Sequence, residues 1–284
     1  MDKDIQILLI PDVHGRYFWK GPVKETLENT NAKIVFLGDY LDVYLREFVK
    51  IYGYKLDVYT QENWDKIYKL WDDTVAMFEE IIELKRQYPD RITLLVGNHD
   101  CGYAIGTKVC EVRRDNRNAR KICKLFDDNW ELFKLADEAR IADKHFIFSH
   151  AGINKTYAER CFEDVNEDNV VSLFNEAWLE NNWGIMDSLG QYSDFRGWGG
   201  GDYGSLVWAD AREWFQEQYM SDVKNEAYGY AVVGHTHINK AHFEENMAFI
   251  DTADAYYIDS NGDIKKYYDN KNENTEEEET NSEY

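Results

Sequence analysis

Residues 231–237 read AVVGHTH: an apolar run of strand length stops at a glycine, and two histidines follow, one residue apart. Alone, the stretch has two readings, a metal clamp or a pair of surface histidines beside a turn. Four earlier places repeat its plan. Ile5–Ile10 runs into PDVHGR with Asp12 and His14, and Ile34–Leu37 into GDYLD with Asp39 and Asp42. Ile92–Val96 runs into GNHD with Asn98 and His99, and Phe146–Phe148 into SHAG with His150. Short runs rich in β-branched and aromatic residues, bounded by Gly, Pro or polar residues, read as strands. With Tyr230–Val233 and a sixth run, Ala248–Ile250, they make a set of strands with little polar alternation. Such strands are buried on both faces, as in layered α/β folds, where ligands gather beyond the strand carboxyl ends.

Five of the seven histidines (His14, His99, His150, His235 and His237) fall in these junctions, and His145 and His242 lie elsewhere. Any one junction is a weak signal, because Asp and Asn after a strand commonly make turns. The series points to metal. Imidazole, carboxylate and one amide oxygen, with no thiolate, suit Mn, Fe, Zn or Co rather than an iron–sulfur centre. The seven positions Asp12, His14, Asp39, Asn98, His150, His235 and His237 are too many for one ion with an open site and suit two ions sharing a bridging carboxylate.

The rest of the chain sets the frame. A length of 284 residues that are 44% hydrophobic suits one large α/β domain over residues 1–269. Ile67, Leu70, Trp71, Val75, Phe78, Ile81 and Ile82 recur at helical spacing between Glu62 and Tyr88, and Pro89 ends the segment, making a βαβ crossover. Residues 107–139 also read as helical. Residues 176–208, rich in Trp and Gly without a steady period, read as ordered loops with Gly199–Gly201 as a mobile point. Asn261-Gly262 signals a hairpin, and residues 270–284 form an acidic tail expected to be disordered. Cys101, Cys110, Cys123 and Cys161 show no C-x-x-C pairing and read as reduced thiols. There is no signal-peptide pattern and no apolar run of membrane-spanning length, so a cytoplasmic protein is expected. The net charge of −22 repels polyanions and argues against nucleic-acid or anionic-membrane partners.

The motifs as a set, Asp12-x-His14, Gly38-Asp39-x-x-Asp42, Gly97-Asn98-His99-Asp100, His150 and Gly234-His235-x-His237, resemble the calcineurin-like metallophosphoesterases over about residues 7–254. GDYLD, GNHD, FSHAGI, LVWAD and VVGHTH are most similar to the branch holding serine/threonine protein phosphatases and symmetrical dinucleoside-tetraphosphatases. The resemblance implies a four-layer αββα sandwich with a dinuclear metal site at the strand carboxyl ends. It implies one ion on Asp12, His14 and His237, the other on Asn98, His150 and His235, and Asp39 bridging. His99 would be the general acid, oriented by Asp42. The ions would be Mn before Fe, Zn, Co or Ni. The sequence departs at Pro11, where the family usually has Gly, and at Val43, where the protein phosphatases usually place a phosphate-binding Arg.

The implied chemistry is hydrolysis of a phosphoester by a hydroxide that two metal ions activate, with an acid protonating the leaving oxygen. Two divalent ions against Asp12, Asp39 and a hydroxide leave a locally positive centre within an acidic protein. Arg16, Arg196 and Arg212 are the candidates for holding substrate phosphate, whereas the run Arg113, Arg114, Arg117 and Arg120 reads as a solvated, ion-paired face. A phosphomonoesterase acting on a phosphoprotein or a small phosphorylated molecule is the first expectation. A dinucleoside polyphosphate or nucleotide hydrolase is the second, because Trp- and Tyr-rich loops can stack a base. A non-catalytic scaffold is the third, and the complete ligand set speaks against it. The stretch after Asp42, residues 43–62, reads as a lid or a docking surface.

Overall fold

The computed structural model describes residues 4–44, 61–106, 114–190, 203–215 and 226–268. Its strands are β1 (Ile7–Ile10), β2 (Lys33–Phe36), β3 (Ile92–Leu95), β4 (Phe133–Lys134), β5 (Ala136–Ile141), β6 (Lys144–Ser149), β7 (Tyr230–Val233), β8 (His242–Glu244), β9 (Met247–Phe249), β10 (Tyr256–Ile258) and β11 (Ile264–Lys266). Among the described residues they form two sheets, ordered β11-β10-β1-β2-β3-β4 and β5-β6-β7-β9-β8. β1, β2, β3 and β4 run parallel, as do β6, β7 and β9, so their carboxyl ends share one edge of each sheet.

Side-chain alternation sorts the layers. Leu8, Ile10, Ile34 and Phe36 pack with Trp19, Val23, Phe78 and Ile81 of the helical layer. Their neighbours Ile7, Leu9, Val35 and Leu37 meet Phe146, Phe148, Val232 and Ala248 between the sheets. On the far face of the second sheet, Ala231, Val233, Met247 and Phe249 pack with Ala211 and Trp214. Every residue of β1 is buried because it has a covered neighbour on both sides, which is why its sequence lacks polar alternation. The result is the expected α/β sandwich of helix, sheet, sheet and helix.

The helices are α1 (Lys20–Asn29), α2 (Gln61–Gln87), α3 (Asn98–Ala104), α4 (Ala119–Asp127), α5 (Lys155–Cys161), α6 (Val170–Leu179) and α7 (Ala211–Phe215). α2 is the expected crossover between parallel β2 and β3. Its Lys85 ammonium closes the end by donating to the carbonyls of Pro89 at 2.6 Å and Ile92 at 2.7 Å. The Asn261-Gly262 turn joins antiparallel β10 and β11, with Gly262 at φ +76°.

Two expectations are corrected. Of residues 107–139, only Ala119–Asp127 is α-helical among those described, and β4 and β5 follow. Leu132 and Leu135 have helical spacing, but Phe133–Lys134 adds to β3 and Ala136–Ile141 pairs with β6. The Asn175 side chain accepts the N–H groups of Leu135 and Ala136, at 3.0 and 3.2 Å. Ladder pairing here overrides local periodicity. Residues 176–179, read as the start of a loop, instead complete α6, where buried Trp178 stacks on Trp130 with centroids 3.8 Å apart.

Gly199–Gly201, Arg196, Cys110, Arg113, the tail 270–284 and most of 43–62 lie outside the described residues. No helix among the described residues is long and apolar enough to cross a membrane. Val43, at the position where the protein phosphatases usually carry an arginine, is buried with Ile67 and Leu70 of α2.

Candidate metal centre

The centre is built where β1, β2, β3, β6 and β7 end. The backbone turns sharply there: His14, Asp39, Asp42 and His235 take positive φ of 43°, 51°, 59° and 63°. Non-glycine residues rarely hold this conformation, and it is retained where surrounding structure enforces it. Two glycines allow close approach. A Cβ on Gly97 would stand 2.1 Å from Asp39 Oδ1, and one on Gly234 would stand 2.3 Å from Asp12 Oδ1.

Two of the histidines, His14 and His150, are aimed by their second nitrogen. The His14 Nδ1 hydrogen bond to the Leu41 carbonyl, at 2.6 Å, turns Nε2 toward Asp39 Oδ2 at 3.4 Å and Asp12 Oδ2 at 3.7 Å. The His150 Nδ1 bond to the Leu37 carbonyl, at 2.8 Å, turns its Nε2 toward Asn98 Oδ1 at 3.0 Å and Asp39 Oδ2 at 3.5 Å. His235 Nδ1 stands 2.9 Å from the same Asn98 oxygen and 3.2 Å from His150 Nε2. Fixing one ring nitrogen on a carbonyl is how proteins preset a metal-binding imidazole. Backbone N–H groups hold the carboxylates. His235 donates to Asp12 Oδ1 at 2.9 Å and His99 donates to Asp39 Oδ1 at 2.9 Å.

The donor set fits divalent ions. Asp12 Oδ2 is fully buried and has no hydrogen-bond partner, a costly state that a cation relieves. Asp12, Asp39 and His150 place ligand atoms within 4.8 Å of one another, and so do His14, Asp39 and His99. Asp39 belongs to both groups. His99 Nδ1 meets Asp42 Oδ2 at 2.8 Å, and its ring lies 5.1 Å from that of His14. His237 is one-quarter exposed, with Nδ1 3.5 Å from Asp251 Oδ2.

The charges are strongly coupled. Burial would depress the His150 imidazole, but Asp39 and Asp12 beside it push it up to about 10. Burial, then the charge of His150, pushes His235 down to about 3. Burial and the neighbouring Asp251 hold Asp12 well above the usual carboxylate range. A metal ion near neutral pH must therefore displace a proton from His150. Since His150 is protonated below about pH 10, metal affinity rises with pH across the neutral range. Calorimetric Mn²⁺ titration in buffers of different ionisation enthalpy will show net proton release at pH 7; proton uptake would contradict this charge arrangement.

The arginines differ in setting. Arg16 is partly buried behind Asp12, donating to the Val13 carbonyl at 3.1 Å and the Asp12 carbonyl at 2.5 Å, and stands 3.6 Å from Asp251. Arg212 is half exposed and forks onto Asp210, both contacts 2.8 Å. Arg117 pairs with Asp72 at 3.2 Å, and Arg114 lies over the Tyr103 ring at 4.7 Å. His145 sits between Glu138 and Glu167 at 2.6 and 2.8 Å, away from the centre.

Three residues escaped the sequence reading. Asp251 is fully buried, with neither carboxylate oxygen hydrogen-bonded, between Arg16 and His237. It follows Ala248–Ile250, so the strand-end rule would have found it had it been carried to the sixth run. Asp100 accepts the N–H groups of Asp39 at 2.7 Å, Tyr40 at 3.1 Å and Gly97 at 2.9 Å, lashing two of the loops together. Tyr103 hydrogen-bonds Asp42; no local signal marks a tyrosine for that task.

Residues 5–239 match the calcineurin-like phosphoesterase family, and the chain belongs to it. It is accordingly a metal-dependent phosphoester hydrolase of the phosphatase type, from a family that typically uses a dinuclear metal centre. Among solved structures, a serine/threonine protein phosphatase from Saccharomyces cerevisiae, described as similar to human phosphatase PP5, shares the fold. The TM-score is 0.51 at 12% identity, over 94% of this chain and 81% of that one. No curated protein matches the chain by sequence.

Proposed function

We propose that the protein is a phosphomonoesterase acting on a phosphoprotein or a small phosphorylated molecule in the cytoplasm, with two divalent ions, Mn before Fe, Zn, Co or Ni. Asp12, His14 and His237 would hold one ion and Asn98, His150 and His235 the other, with Asp39 shared. The observation that carries the reading is the place of Asp39 in both ligand groups, with the nitrogens of His14 and His150 on either side at 3.4 and 3.5 Å. When bound, such ions lower the pKa of water and polarise phosphoryl oxygens. The chain contributes the rest. His99, held by Asp42, protonates the departing oxygen. Arg212 reaches a phosphate only by leaving Asp210, whereas Arg16 supports Asp12 and Asp251 from behind.

The test is hydrolysis of 4-nitrophenyl phosphate by the Mn-loaded protein, with metal content measured on the same sample. Turnover that vanishes with chelation is expected, and a fully metallated but inert protein would overturn the reading.

A second reading, hydrolysis of a nucleotide or dinucleoside polyphosphate, draws on two rings at the rim. Tyr44 lies 4.6 Å from the His14 ring, and Trp208 lies 6.0 Å from that of His235. Either could stack a base. Parallel assays on a phosphopeptide and on diadenosine tetraphosphate separate the two.

A further inference from the structure

We propose that Tyr103 is a positioning residue for the acid His99, acting through Asp42. The proposal rests on the reading of His99 as the acid. Three hydrogen bonds carry it. The Tyr103 hydroxyl donates to Asp42 Oδ1 at 2.5 Å, Asp42 Oδ2 meets His99 Nδ1 at 2.8 Å, and the Asp115 N–H donates to the Tyr103 oxygen at 2.8 Å. Asp42, His99, Tyr103 and Asp115 are all at most 4% exposed, so water does not compete for these groups.

The geometry explains why a tyrosine serves. His99 and Tyr103 are four residues apart on α3, so both project from one helix face. That single helix engages each oxygen of the Asp42 carboxylate with a separate arm. A carboxylate held at both oxygens cannot swing about its last bond, and the imidazole on its other side keeps one orientation. The phenol remains a donor. Burial first, and then the charge of Asp42, push it far above its ordinary range. A second anchor comes from the segment leading into α4. There Asp115 accepts the Asn118 N–H at 2.9 Å while its own N–H holds Tyr103. Tyr103 thus joins the acid to the segment leading into α4.

Tyr103→Phe keeps the ring and removes the hydroxyl. Steady-state kinetics on aryl phosphates of graded leaving-group acidity, run alongside His99→Asn and the double variant, test the idea. For the poorest leaving group, Tyr103→Phe is expected to lower kcat about tenfold, the worth of one ordinary hydrogen bond. KM and bound metal should stay near wild type. The loss should shrink as the leaving group improves, and in the His99→Asn background Tyr103→Phe should add nothing. An equal loss on every ester, a loss of metal, or multiplicative effects in the double variant would overturn it. If His99→Asn itself shows no leaving-group dependence, the acid reading has failed, and that result is separate from any effect of Tyr103.

Discussion

His99→Asn will keep its metal and lose about 10²–10⁴-fold in kcat toward a phosphate ester with a poor leaving group, the usual worth of a positioned general acid. The amide that replaces the ring can still donate to Asp42 Oδ2, which His99 Nδ1 meets at 2.8 Å, so the buried carboxylate is not stranded. What disappears is a group able to give up a proton. The loss should therefore be steep for an alkyl ester and shallow for 4-nitrophenyl phosphate, whose leaving group needs little protonation. Elemental analysis of the same preparation decides a competing role. His99 lies within ligand distance of His14 and Asp39; if it holds an ion, the variant will lose metal and activity together on every substrate.

Gly97→Ala will damage the centre without replacing any ionisable group. The added methyl would stand 2.1 Å from Asp39 Oδ1 and 2.6 Å from the Asp39 nitrogen. Asp39 must move, and it belongs to both ligand groups. Misplacement of a reacting constellation by about 1 Å costs about 10²-fold in rate, and overpacking costs about 1–3 kcal/mol in stability. The expected result is a lowered melting temperature, weaker retention of metal during dialysis and at least that loss of kcat. Gly21→Ala in α1, where a Cβ meets nothing within 4 Å, is the control and should be silent. Wild-type metal retention and rate in Gly97→Ala would show that the position of Asp39 is not held this tightly.

The strands were legible because burial on both faces leaves an unusual composition, and their order in the chain announced which ends would gather. Asp12, Asp39, Asn98 and His150 stand at those ends in the structure because parallel pairing aligns the ends. β4 and β5 were not legible. Phe133–Lys134 is too short to carry a period, and Ala136–Ile141 is a strand because β6 lies beside it. The same holds for support around the centre. The bond of Tyr103 to Asp42 spans 61 residues and that of Asp100 to Asp39 spans 61, so nothing local in the chain reports them. Arg16 shows the limit on the chemical side. Its place beside a ligand motif suggested phosphate, and only coordinates reveal its engagement with carbonyls and Asp251.

β1 sits inside its sheet, flanked by β2 and by Tyr256–Ile258, which is made more than 240 residues later. Asp12 is made long before His235, yet the His235 N–H donates to the Asp12 carboxylate across 223 positions. A centre that needs both residues would therefore wait for β7 before it could be completed. A nascent chain arrested before β7 would present five of the seven candidate ligands and a β1 paired on the β2 side alone.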